Sequence, residues 1–265
     1  MIMNKQPTKK QHFVPRMILK HHTYFQIPMK KPIIYQYDKE KGICRTVDIY
    51  DICRKNNLYE FHKENGEIED SLRNLIENEL ARDEARWDKI INKILNCENL
   101  IEEEVVDLHY MFAVQLLRLP DVQKEIVSLY KDKINDQLYE DVTKFTDTNI
   151  KNWAKYASLP VGSIVNDDQI ILKLFFEKLA KKELTICKSK DILVINGNWP
   201  IVIYPNNFDC DFPITPHVCL RLREKHNNKD YEHLSRNDVR KLNNYIIAHN
   251  GRFVYSSIPY DQIIK

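Results

Sequence analysis

Between Glu67 and Pro120, apolar residues return every three to four positions, a spacing that predicts two consecutive helices, each with a buried face. On the first, Ile68, Leu72, Ile76, Leu80, Trp87, Ile90, Ile91 and Ile94 form the stripe. The second starts near Ile101 and carries Val105, Leu108, Phe112, Leu116 and Leu119, with Met111, Val114 and Leu117 making its other faces apolar too. Such a helix belongs at the centre of a fold. Pro120 is read as its end, because the residue before a proline is pushed out of helical geometry. Polar groups interrupt both stripes. At about 100° per residue, Glu69, Glu79 and Asp83 project within the first, and Glu77 and Glu84 lie at its edge. Gln115 falls inside the second stripe and His109 at its edge. A carboxylate facing a core needs a cation, a metal ion or a proton. Arg73, Arg82, Arg86 and Arg118 could meet that need as structural salt bridges; a bound ion is the other solution.

Around this pair the pattern alternates between short strands and further helices. Met1–Lys10 reads as a loose basic tail, and Met17-Ile18-Leu19 as a helical turn after Pro15. Ile33–Tyr37 and Ile43–Ile49 alternate around a Gly42-containing loop and predict a hairpin. Ile52–Phe61 is a connector, helical at most over Ile52–Lys55. Helical spacing returns over Val122–Tyr139, Val142–Leu159 and Gln169–Lys182, the last capped by Asn166, Asp167 or Asp168. Short β-rich runs follow at Glu183–Lys188, Ile192–Ile195 and Ile201–Tyr204, then an irregular link over Phe208–Thr215 and a strand at His217–Arg223. Ser235 caps a helix over Arg236–His249 that stops at Asn250-Gly251, and Arg252–Ser256 is a last strand. The expected fold is α+β: a mostly helical central bundle with a small, mainly antiparallel sheet from the C-terminal strands, which the N-terminal hairpin could join. Without repeats or Gly/Ser-rich linkers, residues 11–265 read as a single domain behind the tail 1–10.

Composition removes several function classes. The chain is 43% hydrophobic and 29% charged, with only five glycines, none clustered as a phosphate-cradling loop would require. No G-x-G-x-x-G, Walker A, G-x-S-x-G or H-E-x-x-H pattern occurs. Cys44, Cys53, Cys97, Cys187, Cys210 and Cys219 have no close spacing, so reduced thiols of a cytoplasmic protein are a simpler reading than a zinc site. No apolar run approaches membrane-spanning length, and no membrane association is expected. The net charge of +2 hides an asymmetry: Met1–Arg45 holds ten Lys/Arg against two acids, whereas Glu60–Asp107 holds fifteen acids against six bases. A basic N-terminal segment could contact nucleic-acid phosphates or a protein partner. Equally, it could lie across the acidic helix of its own chain.

Five short motifs, in order, resemble a bacterial family known as domain of unknown function 4238. Gln11-His12-Phe13-Val14-Pro15-Arg16 with Leu19 is similar to its Q/H-H-Y-V-P-x-x-x-L opening, and Ile68-Glu69 and Ile76-Glu77 to its two I-E steps. Gln115-Leu116-Leu117-Arg118-Leu119-Pro120 resembles its Q-x-x-R-x-P. Asn196-Gly197-Asn198-Trp199-Pro200-Ile201 resembles its S/G-D-x-P-V element, and Phe212-Pro213-Ile214-Thr215-Pro216 the F-P-L-S-P that follows. Asn198 stands where the family usually carries Asp. The resemblance implies an architecture and candidate positions, but no reaction.

The candidate site is His12, Glu69, Glu77, Gln115, Arg118 and Asn198, drawn from distant segments into one pocket. His12, Glu69 and Glu77 are the candidate metal ligands, for Mg2+ or Mn2+, and Arg16, Lys9 and Lys10 the candidate phosphate contacts. Two functions fit: a nucleic-acid- or protein-binding, regulatory domain built on a buried polar network, or a metal-dependent nuclease or related phosphohydrolase.

Overall fold

The structure, a computed structural model, describes residues 9–24, 31–136, 147–161, 168–204, 207–224, 230–248 and 251–263. Residues 1–8 of the tail, the start of the Val142–Leu159 stretch, the candidate caps Asn166 and Asp167, and the stop at Asn250 lie outside them. The chain opens with β1 (Lys10–His12) and α1 (Arg16–His21), then the hairpin β2 (Ile33–Asp38) and β3 (Ile43–Asp48), and β4 (Arg54–Asn56). The helical centre follows: α2 (Leu75–Leu95), α3 (Glu102–Leu117), α4 (Pro120–Asp136), α5 (Asp147–Ser158) and α6 (Ile170–Ala180). Then come β5 (Glu183–Lys188), β6 (Ile195–Asn196), β7 (Val202–Tyr204), β8 (Asp209–Thr215), β9 (Val218–Arg223) and β10 (Tyr231–His233). Helix α7 (Arg236–Ala248), β11 (Phe253–Ser256) and α8 (Tyr260–Ile263) complete the α+β fold.

The all-round apolar helix is central, as its composition demands: Leu108, Met111, Phe112, Ala113, Val114 and Leu117 of α3 have no solvent exposure. One cluster of buried side chains joins it to Trp87 and Ile91 of α2, Ile18 and Leu19 of α1, and Phe212 and Leu220 of the sheet. Phe112 meets Phe212 edge to face, with centroids 5.7 Å apart. Pro120 does more than stop a helix. It is the first residue of α4, where its missing N–H costs nothing.

The strands form two larger sheets instead of one. A five-stranded sheet runs β10-β5-β9-β8-β7, and a four-stranded sheet runs β3-β2-β11-β6. The N-terminal hairpin therefore pairs with the last strand and not with the main C-terminal sheet. All neighbouring pairs are antiparallel except β10 against β5.

Three local expectations are corrected. The supposed link Phe208–Thr215 contains β8, an interior strand buried along its whole length. Its Asp209, Asp211 and Pro213 argue against a strand locally. The acids are instead neutralised in place: Asp209 by Lys182 (3.0 Å), and Asp211 by Arg221 and Arg223 (2.9 Å each). Pro213, opposite Cys219, sits at a register shift in the β8–β9 pairing, the kind of irregularity where a strand tolerates proline. Second, Lys10 is not tail: β1 pairs with β4, so the presumed helical turn near Lys55 is a strand. Third, the first long helix begins at Leu75, not near Ile68. Asn74 adopts a left-handed conformation (φ 59°), and Asp70–Leu72 form a separate 3-10 turn.

Candidate functional site

The β1–β4 ribbon lies over the end of the α2–α3 pair, and polar side chains from β1, α2, the C-terminal end of α3 and the segment after β4 meet there. Arg118, at the C-terminus of α3, is 1% exposed. Its guanidinium donates to Glu84 Oε1 (2.8 Å) on α2, to the Tyr59 hydroxyl (3.2 Å) and to the carbonyl of His12. Three acceptors in fixed directions suit the planar fork of an arginine. The Tyr59 hydroxyl donates in turn to His12 O (3.1 Å), and burial pushes its pKa up to about 12. On the same ribbon Gln11 donates to Glu60 Oε1 (2.7 Å) and accepts from the Tyr59 N–H (2.7 Å). Glu60 Oε2 accepts from the N–H of Asn74, tying the ribbon to the start of α2 (3.1 Å). On α3, Gln115 donates to Phe13 O (2.9 Å).

Among the described residues, His12 Nε2, Glu77 Oε2, Gln115 Oε1 and, opposite His12 on β4, Arg54 Nε are buried in this region without a hydrogen-bond partner. Burial, opposed by Arg118 and reinforced by Glu84, raises the Glu77 carboxyl to about 7. Burial and the neighbouring Arg16 lower His12 to about 4, so its imidazole is neutral at pH 7. With Nε2 unpartnered, Nδ1 makes the ring's bond to the Ile49 backbone. Arg16 stands at the surface, over the Tyr50 ring (5.7 Å), in a cleft of about 520 Å³ that Glu84 also lines.

His12, Glu77, Gln115 and Arg118 thus share one region of the interior, but two of the candidates do not join them. Glu69 precedes the helix break at Asn74. It caps the 3-10 turn by accepting from the Ser71 hydroxyl (2.8 Å), and that bond lowers its pKa. Asn198 belongs to the turn after β6, where its N–H is held by Asn196 Oδ1 (2.9 Å). Glu79 and Asp83, the other acids of the stripe, pair with Arg82 and Arg86 (2.5 and 3.1 Å). Among the described residues, no three His, Cys, Asp or Glu side chains are grouped to hold a metal ion, the trio His12, Glu69 and Glu77 included.

A second feature escaped the sequence reading. Lys55 on β4, Lys124 on α4, and Lys151 and Lys155 on α5 line a cleft of about 510 Å³ together with His62, and among the described residues no carboxylate side chain lines it. Lys155 donates to the backbone carbonyl of Glu60, and burial lowers its pKa to about 8, with Lys151 adding to the shift and Glu60 opposing it. The pairing of β1 with β4 sets Lys10 opposite Asn56 and Gln11 opposite Lys55, while Lys9 O accepts from Asn57 N (2.9 Å). Lys9 and Lys10 are exposed on the same ribbon as this cleft's Lys55, Lys10 on the opposite face.

A buried Gln/Arg/Tyr/Glu network tying an N-terminal ribbon to a helix pair, within an α+β fold, defines the class of protein. The model of the family described as "Protein of unknown function (DUF4238)" matches residues 10–259, and the chain belongs to that family. Among curated proteins it is similar to the probable E3 ubiquitin-protein ligase ARI1 of Arabidopsis thaliana, at 22% identity over 177 residues. That match covers 63% of this chain and 29% of the plant protein, so the chain spans well under two thirds of that relative. No solved structure matches.

Proposed function

We propose that this protein is a binding domain for nucleic acid, which it grips by the phosphate backbone along its basic N-terminal edge, and that the buried polar network is the scaffold holding that edge. The observation that carries the reading is the β1–β4 ribbon. It brings Lys9, Lys10 and Lys55 together on one two-stranded ribbon, Lys10 opposite Asn56 on one face and Lys55 opposite Gln11 on the other, next to a cleft lined, among the described residues, by lysines and no carboxylate side chain. Exposed ammonium groups gathered on a strand pair suit the phosphates of a chain that wraps its edge, and they carry little base information. Gln11, Tyr59 and Arg118 spend their bonds on the backbone of that ribbon and on Glu60 and Glu84, as a scaffold would.

Fluorescence anisotropy with labelled single strands tests this. The triple variant Lys9→Gln, Lys10→Gln, Lys55→Gln should weaken binding similarly across sequences. It should also reduce the salt slope by about 0.7 for each phosphate that is no longer neutralised. Salt-independent association, or affinity unchanged in the variant, would overturn the reading.

One observation favours a second function, phosphodiester hydrolysis: the Glu77 carboxyl, near 7, suits general acid–base transfer beside Arg118 and Arg16. Cleavage of labelled strands in Mn2+, lost in Glu77→Gln while the folding transition persists, would establish hydrolysis. No cleavage by the wild-type protein eliminates it.

A further inference from the structure

The lysine cleft differs from an ordinary basic surface in where its charges sit. Lys55, Lys124 and Lys151 are exposed at its rim, whereas Lys155 is mostly covered. An ammonium carries three donors, and the single bond described for Lys155 goes to a neutral carbonyl, that of Glu60. Among the described residues none of Lys55, Lys151 and Lys155 is salt-bridged to a carboxylate; Lys124 has only the exposed Asp121 one turn away (3.2 Å). Taking a cation out of water is costly when the one carboxylate named near it, that of Glu60, is not hydrogen-bonded to it and already accepts from Gln11 and Asn74, and placing a second ammonium on the next turn of the same helix adds repulsion. Such an arrangement is relieved by an anion, and four ammonium groups favour a dianion over a monoanion.

The rest of the lining narrows the ligand. His62 is hydrogen-bonded to the Glu60 backbone, and burial together with Lys155 lowers its pKa, so it offers a polar contact without another charge. Asn152 holds the His62 backbone at both ends, accepting from its N–H (3.0 Å) and donating to its carbonyl (2.6 Å). The floor beneath Lys155 is therefore rigid. Leu58, Pro120 and Val127 supply apolar wall, and among the described residues no Phe, Tyr or Trp lines the cleft, so apart from the His62 ring it offers a base little platform on which to stack. A terminal phosphate carries close to the two charges that such a cluster of ammonium groups favours, whereas a phosphodiester carries one.

We infer that the cleft between α4, α5 and the segment from Lys55 to Gly66 is a receptor for a phosphomonoester, a dianion presented at the end of its carrier. The carrier is either a nucleic-acid strand end or a small phosphorylated molecule. The strand-end case rests on the nucleic-acid reading above; the small-molecule case does not.

The experiment uses the full chain and short single strands carrying a 5′-phosphate, a 3′-phosphate or only hydroxyl ends, with glycerol 3-phosphate and inorganic phosphate as competitors. A phosphate-terminated strand should bind about tenfold more tightly than the hydroxyl strand, a margin expected from one or two added charge-assisted hydrogen bonds. That margin should vanish in Lys155→Met, which keeps the apolar stem, and shrink in Lys151→Gln, an exposed position whose change leaves folding intact. Equal affinity for all three strands, with no effect of the small phosphates, overturns the phosphomonoester site and leaves the backbone reading standing. If no strand binds but glycerol 3-phosphate does, dependent on Lys155, the receptor holds for small molecules and the nucleic-acid reading falls. Binding of neither class overturns both.

Discussion

Glu77 and His12 should impose opposite pH dependences on stability, and separating them tests whether the interior cluster is as dry as it looks. The Glu77 carboxyl stands at about 7 in the fold against an ordinary 4.5. The folded state therefore holds this proton more tightly than the unfolded chain does. Its stabilising effect is fully present below pH 4.5 and is lost as pH rises towards 7. At about 1.4 kcal/mol per pH unit, and allowing for the partial exposure of the side chain, the loss is about 2–3 kcal/mol. His12 runs the other way. Its pKa falls from 6.5 to about 4, so the unfolded chain takes up the proton first, and stability drops by a similar amount as pH falls from 6.5 to 4. Between pH 4.5 and 6.5 the two slopes largely cancel in the wild-type protein. Glu77→Gln removes one of them. Urea unfolding from pH 4.5 to 8 should show the variant gaining about 2–3 kcal/mol on the wild type across that range, whatever constant offset the amide introduces. His12→Asn, which preserves a donor where Nδ1 bonds Ile49, should gain instead as the pH falls from 7 to 4. Other buried groups, such as His22 at about 3 and Asp83 at about 6, cancel in these differences. A difference between Glu77→Gln and wild type that does not change with pH would refute the argument, because it would mean that water reaches this carboxyl freely.

Two further outcomes follow from the same packing. Arg118→Leu strands the Glu84 carboxylate and withdraws a donor from Tyr59 and His12; Glu84 keeps 19% exposure and can turn outward. The expected loss in urea unfolding is about 3 kcal/mol, the low end for breaking a buried pair; under about 1 kcal/mol would mark it as an ordinary surface bridge. Gly197→Ala sets a Cβ 2.5 Å from Tyr255 Cε2 and 3.4 Å from Phe253 O. Tyr255 is buried and accepts from Gln36 (3.0 Å), so it yields little, and the cost should be about 1–3 kcal/mol, read as a fall of several degrees in Tm.

What the sequence disclosed depended on whether a residue's role was written in its own helix or in another segment. The α2 and α3 stripes were legible because burial there repeats every turn. The same phase argument singled out Glu77 and Gln115, polar residues on or beside an apolar face. It failed for Glu69 because one left-handed residue, Asn74, resets the phase, and a helical count carried back across it aims the side chain wrongly. Strand β8 was illegible for a different reason. Its Asp209 and Asp211 look like loop residues until Lys182, Arg221 and Arg223 are brought against them from other segments. The lysine cleft is the extreme case. Lys151 and Lys155, four apart on an amphipathic helix, look like any solvated face, and only the covering segment around Glu60 turns one of them into a recessed cation. A charge buried by a remote part of the chain leaves no periodic trace. For that reason the polar groups the pattern could flag lie in the interior network, and the lysine-lined cleft was the feature it could not see.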